Sequence, residues 1–117
     1  MSMRIALGAD HAGFELKKEL VGGLRDLKYT VDDLGAFSTD PFDVTIVANR
    51  FRGVRAANCT DVFGARFSRQ HNDSNELCLG GRVVGVGLAW ELVNVWLSTP
   101  FSGEERLLRR LAKIDSQ

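Results

Sequence analysis

The chemistry open to this chain centres on its two imidazoles. His11 follows Asp10 in the run Ala9-Asp10-His11-Ala12-Gly13, and His71 stands before Asn72 and Asp73. An imidazole with a neighbouring carboxylate can take and return protons near neutral pH. The first pair comes after a short apolar run, Arg4-Ile5-Ala6-Leu7-Gly8, and before a helical stretch. In open α/β sheets ligands bind beyond the carboxyl ends of strands, and helix N-termini favour phosphate. A plain turn would use the same residues, with Asp10 bonding nearby backbone N–H groups and His11 half exposed. His71 lies in the polar run His71-Asn72-Asp73-Ser74-Asn75, where a lone histidine is usually just a solvated loop residue.

A third cluster is basic. Arg106, Arg110 and Lys113 recur at spacings of four and three, so they share one face of a helix, beside an apolar face of Leu107, Leu111 and Ile114. Guanidinium forks suit phosphate oxygens, although a solvated face is the commoner use of such a row. Arg82, in Gly80-Gly81-Arg82-Val83-Val84-Gly85, follows a strand end and could meet an anion there. Cys59 and Cys78 are expected to be buried, inert thiols. No CxxC, HExxH or other convincing metal-ligand spacing occurs, so no metal is expected.

The elements that position these clusters follow from periodicity. Residues 4–8 predict a buried strand. Leu16, Leu20, Leu24 and Leu27 predict a helix with Lys17, Lys18, Glu15 and Arg25 away from the apolar stripe. Thr30 to Gly35 predicts a second strand despite Asp32 and Asp33. Strand, helix and strand over this length make a βαβ unit with a parallel sheet and a right-handed crossover. Beyond the loop 36–43, Asp43 can N-cap a helix from Val44 to Arg50. A strand over 53–59 comes next, then a helix capped by Thr60 or Asp61 with Phe63 and Phe67 on one face. The loop 71–75 leads to a strand over 76–80, an apolar helix over 85–98 stopped by Pro100, and an amphipathic helix over 104–114.

With 117 residues and 44% of them hydrophobic, the chain fits a single α/β domain over 1–117. Fifteen basic residues balance fifteen acidic ones, which gives no general attraction to nucleic acid or anionic membrane. No apolar run is long enough to span a bilayer, and two cysteines make no disulfide framework, so a cytoplasmic protein is expected.

Taken together, the clusters resemble the ribose-5-phosphate and galactose-6-phosphate isomerase family. Ala9-Asp10-His11-Ala12-Gly13-Phe14 is similar to its DHAGF signature, and Arg69-Gln70-His71-Asn72-Asp73-Ser74-Asn75 to its R-x-H-N-D-x-N stretch, the form of the type-B ribose branch. Leu79 to Gly85, Phe101-Ser102-Gly103 and the run from Val47 to Cys59 also match. The resemblance implies a Rossmann-like three-layer α/β sandwich and a cofactor-free aldose–ketose isomerase acting on a phosphorylated pentose. It gives His71 a role in opening the sugar ring, with Asp10 holding sugar hydroxyls. It assigns His11, Arg82, Arg106 and Arg110 to the phosphate, and Asn49 and Asn72 to the substrate or its enediolate. At the C-terminus one inserted residue, Glu104 or Glu105, is needed to align Arg106 and Arg110.

In a βαβ sheet helices run antiparallel to strands, so His71 should lie at the edge opposite Asp10. One site could use both only across two subunits, which agrees with the dimeric shared sites of the family. A homodimer or a dimer of dimers is therefore expected.

The resemblance has one gap. The family carries a helix and a third strand ending in Cys-Gly-Thr-Gly-x-Gly, where the Cys, or a nearby Glu, moves the proton and the glycine-rich loop holds the enediolate oxygen. Here residues 38–43 run directly into Val44, and about thirty residues, one βα unit, are missing. In the family's strand order, 2-1-3-4-5, the lost strand is the central one. Three readings follow: a shortened form of an ordinary isomerase, a variant whose sheet closes over the deletion, or a non-catalytic relative that binds a sugar phosphate or pairs with a complete subunit.

Overall fold

The structure is a computed structural model and describes residues 3–9, 12–36 and 41–117. Asp10 and His11 lie outside the described residues, so their expected roles get no geometry. The elements run β1 (Arg4–Ala9), α1 (Phe14–Asp26), β2 (Thr30–Ala36), α2 (Pro41–Ala48), β3 (Ala56–Asn58), α3 (Val62–Asn72), β4 (Glu76–Cys78), α4 (Val86–Ser98) and α5 (Glu105–Asp115). This is the expected α/β alternation with parallel pairing.

β1 and β2 pair in parallel from Arg4 against Thr30 to Leu7 against Asp33, with an irregularity before Ala9. The two acidic residues of β2 are tolerated because each meets a cation. Arg4 donates to Asp32 at 2.6 Å, and the buried Lys17 ammonium reaches Asp33 at 2.7 Å. Lys17 snorkels along α1, its head 5.5 Å from the Phe14 ring centroid. Leu16, Leu20 and Leu24 bury the apolar stripe of α1 as the spacing predicts, joined by Val21, whereas Leu27, expected on the stripe, is exposed at the C-cap and Lys17, expected off it, is buried.

Three local expectations are corrected. Asp43 does not cap α2, which starts at Pro41; proline suits a first helical position because its missing N–H would be unpaired there anyway. The strand expected over 53–59 shortens to Ala56–Asn58. Gly53 adopts φ 84°, and the Arg55 N–H is taken by the Asn75 side chain at 2.8 Å. Residues 71 and 72 are not loop but the last turn of α3. Asp61 caps that helix by accepting from the Gly64 N–H at 2.6 Å, and Asp73 ends it in the left-handed region, φ 45°.

The largest difference concerns the sheet. Among the described residues it is divided into two parallel pairs, β1 with β2 and β3 with β4. The physical reason is the short connection between β2 and α2, which leaves no residues for a strand to join them. β1 is accordingly exposed at alternate positions rather than fully buried.

Helices hold the halves together. Ala65, Ala89 and Leu92 are fully buried at the centre of a core that also takes in Leu24, Val84 and Val93. Gly23 of α1 sits under the indole of Trp90 on α4, where an added Cβ would lie 2.2 Å from Cζ2. In an exposed helix Gly→Ala gains about 1 kcal/mol, but forced overpacking costs about 1–3 kcal/mol. The clash decides the sign. Gly23→Ala should lower the midpoint of thermal unfolding, whereas Gly22→Ala, with open space around its Cβ, should raise it.

Candidate active site

The expected site residues fall at two ends of the strands. At the carboxyl end, the loop after β4 leans on the turn after β1. A Cβ on Gly81 would sit 2.6 Å from the Ala12 carbonyl oxygen and 2.7 Å from the Gly13 Cα, so only glycine allows the approach. This contact carries Arg82 to the Ala12–Gly13 turn, next to the N-terminus of α1. The N-terminus of α4 follows at Gly85, which has no side-chain cap. Arg82 is exposed, with no ion pair among the described residues. A guanidinium beside two helix N-termini favours a phosphate dianion.

At the amino end stands the run Arg69 to Asn75, whose residues divide sharply by use. Arg69 donates to the Thr99 carbonyl at 3.1 Å, to the Asp73 carboxylate at 3.0 Å and to the Ser74 carbonyl. Ser74 is buried between the Trp96 Nε1–H, which donates to it at 2.8 Å, and the Ser68 hydroxyl at 2.9 Å. Asn75 accepts from the Arg55 N–H and donates to the Gly53 carbonyl at 2.7 Å. Arg55 in turn reaches the Asn72 and Asp73 carbonyls and the carboxylates of Asp73 and Asp115.

Within this lattice the side chains of His71 and Asn72 make no hydrogen bond among the described residues. His71 is held by shape instead. His71 stacks on Phe67 at 4.8 Å between centroids, and Phe67 on Phe63 at 4.4 Å, one stripe along α3. Asn72 projects from the rigid last turn and lines an open cavity of about 270 Å³ with Asn49, Arg55, Ser68 and Ile114. Asn49 is partly committed. Its amide accepts from the Ala56 N–H at 2.8 Å and donates to the Ala56 carbonyl at 3.0 Å, which leaves one donor and one lone pair for a ligand.

Arg106 and Arg110 are exposed on α5, fastened beside this end of α3 by buried Leu107 and Leu111 and by the Ser102 N–H bond to the Gln70 carbonyl. Arg106 pairs with Glu104 at 2.8 Å, an exposed contact that a phosphate can displace at little cost. Arg110 has no ion pair among the described residues. His71, Asn72, Asn49, Arg106 and Arg110 thus lie toward one end of the strands and Arg82 at the other, with the 11 residues of α3, about 16 Å of helix, running between the two ends. Sequence reasoning missed Arg55, which organises the loop; a lone arginine before a strand carries no signal for that role.

Both cysteines are buried as expected. Burial pushes the Cys78 thiol up to about 11 and raises Cys59 as well, the opposite of an activated nucleophile or base. Because the folded Cys78 pKa exceeds the unfolded one of about 9, its contribution to stability is intact below pH 9 and is lost as the pH rises toward 11. The loss should be on the order of 2 kcal/mol. The urea midpoint of the native protein should therefore fall more between pH 8 and 11 than that of Cys78→Ala.

With this geometry in place, known proteins supply the class. A sequence model of the ribose/galactose isomerase family matches residues 5–45 and 42–114, breaking where the missing unit is expected. The chain belongs to that family. It is 35% identical to ribose-5-phosphate isomerase B of Escherichia coli (strain K12), covering 86% of this chain and 87% of that protein. The corresponding protein of Mycobacterium leprae is 32% identical, with 93% of this chain and 86% of the relative covered. That alignment runs over 139 positions although this chain has 117 residues, so the gap lies inside it. Among solved structures, a ribose 5-phosphate isomerase of Thermotoga maritima superposes with TM-score 0.92 at 35% identity, covering 100% of both chains. Ribose-5-phosphate isomerase B of Clostridium thermocellum gives 0.91 at 34%, covering 97% of this chain and 96% of that one. The fold is therefore the Rossmann-like α/β fold of these enzymes, one βα unit short.

Proposed function

We propose that this chain carries the sugar-phosphate site of an aldose–ketose isomerase, with ribose 5-phosphate and ribulose 5-phosphate as its pair. The observation that carries the reading is the division within residues 69–75. Arg69, Asp73, Ser74 and Asn75 are spent on holding the loop, while His71, seated against Phe67, and the exposed Asn72 keep their side-chain polar atoms unspent. Groups left open in this way beside a fixed framework are available to a ligand.

In this reading His71 moves the proton between the ring oxygen and the C1 hydroxyl, opening the furanose. Asp10 holds the sugar hydroxyls, while Asn72 and the remaining capacity of Asn49 hydrogen-bond the substrate or its enediolate. Phosphate is bound by His11, Arg82, Arg106 and Arg110. These groups stand at two ends of the strands, so the site is completed by a second subunit that brings its His71 end to the Ala12–Gly13 turn of the first. The isomerisation step itself needs a base between C1 and C2. The buried thiols, with raised pKa values, are unsuited to it.

That last point favours a second reading, a sugar-phosphate-binding relative or partner subunit with ring opening but no isomerisation. One experiment separates the two. Purified chain is incubated with ribose 5-phosphate, and ribulose 5-phosphate is followed together with binding by calorimetry. Turnover supports the isomerase; binding that weakens about tenfold or more in Arg110→Ala, without turnover, supports the second reading. Absence of both sinks the sugar-phosphate site altogether.

A further inference from the structure

We infer that the chain is a receptor for one extended polypeptide strand, which inserts in parallel between β1 and β3 and joins the two strand pairs into one sheet. β2 occupies one edge of β1, and β4 one edge of β3; among the described residues neither first strand has a ladder partner on its other edge. The two free edges point the same way along the chain, because the loop after β4 touches the turn after β1 at Gly81 and Ala12. Both pairs rest on a common helical layer, where Trp90 of α4 covers Gly23 of α1.

Among the described residues β1 and β3 are not drawn together into one ladder. Had β3 moved against β1, one half would be displaced by about one strand spacing, ~4.8 Å. A TM-score of 0.92 with the ribose 5-phosphate isomerase of Thermotoga maritima does not fit such a shift. The halves therefore stand as they do in that relative, a spacing that leaves a slot with room for one strand.

What fills it is indicated by where the relatives are longer. Their additional residues enter at positions 42–45, between β2 and the helix packed on β3 and β4. A strand added there unites the pairs, whereas a strand outside β2 or β4 leaves them apart. The same place is apolar. Ile46 and Val47 of α2 are 62% and 51% exposed beside the break, and Ile5, Leu7 and Ala57 on the slot's strands are only partly buried. An occupant must therefore be an extended, apolar segment of about five residues, with its backbone free on both sides.

A peptide copying the segment that the Escherichia coli relative carries at this point serves as the probe, with a scrambled peptide as control. Binding is read by calorimetry and by hydrogen exchange, neither of which involves a sugar phosphate, so the result is independent of the proposed function. Saturable binding of the copied peptide alone, with new protection of the β1 and β3 amides, is the expected result. Methylating two alternate backbone nitrogens of the peptide should weaken it by roughly tenfold or more, since ladder bonds are lost while side chains stay. Equal binding of the scrambled or methylated peptide would reduce the slot to a greasy surface and overturn the inference. So would the absence of binding, or protection of both strands by self-association without any peptide.

Discussion

Arg69→Ala is expected to be the most destabilising single change in the run from Arg69 to Asn75, at about 3 kcal/mol. The Arg69 guanidinium, 21% exposed, ties the end of α3 and the residue after it to the chain beyond α4, thirty positions on. It meets the Thr99 carbonyl after α4, the Asp73 carboxylate at the end of α3 and the Ser74 carbonyl ahead of β4. It also lies 5.6 Å from the Trp96 ring centroid, over the indole whose N–H holds Ser74. Truncation leaves the carbonyl of a residue only 2% exposed without its donor, and an unmade bond at a buried acceptor costs more than the bond contributes when made. Asp73 keeps Arg55, which limits the damage on that side. For a domain of this size the loss corresponds to a fall of roughly 10 °C or more in the unfolding midpoint, checked by circular dichroism. Arg69→Lys should recover less than half of it, because an ammonium has no planar fork to reach carboxylate, carbonyl and indole together. If the alanine variant melted within a degree or two of the native chain, the loop would not depend on this network.

Much of this was legible in the residues, and the limits have physical causes. The α1 stripe of Leu16, Leu20 and Leu24, the Asp61 cap and the end of α4 before Pro100 are local signals, and the structure keeps them. The same holds for the basic row of α5, where Arg106 and Arg110 lie exposed beside buried Leu107 and Leu111. Long-range partners were not legible. The shortness of β3 depends on Asn75 taking the Arg55 N–H, and the tolerance of Asp32 and Asp33 depends on Arg4 and Lys17. His71 looked like a loop residue because Asn72 and Asp73 are poor helix formers. The helix persists through Asn72 because Arg55 and Arg69 tie down its C-terminal turn, and because Asp73 accepts the left-handed conformation that ends it. The run Arg69 to Asn75 could be recognised from sequence as one unit, but only side-chain geometry divides it into residues that hold the loop and residues left for chemistry.

His71→Ala should show the reverse of the arginine result, with little change in folding and a large change in chemistry. The ring makes no hydrogen bond among the described residues, and its main contact is the half-buried face of Phe67. Losing one aromatic contact of this kind costs about 0.5–1.5 kcal/mol, so the variant should stay folded at room temperature. A proton-transfer group, by contrast, contributes about 10²- to 10⁴-fold to the step it serves. In the proposed site that step is ring opening, because ribose 5-phosphate in solution is overwhelmingly a closed furanose in need of a proton at the ring oxygen. Anomer exchange, read by NMR on ribose 5-phosphate mixed with protein, follows this step whether or not the isomerisation base is present. The native chain should accelerate exchange and His71→Ala should not, while both retain phosphate-dependent binding through Arg82, Arg106 and Arg110. Phe67→Leu refines the test. It keeps an apolar wall but removes the ring that orients the imidazole, so it should slow exchange by an intermediate factor with binding unchanged. If His71→Ala accelerated ring opening as well as the native chain, the imidazole would be part of the Phe63–Phe67 stripe and nothing more, and the proton would have to come from elsewhere.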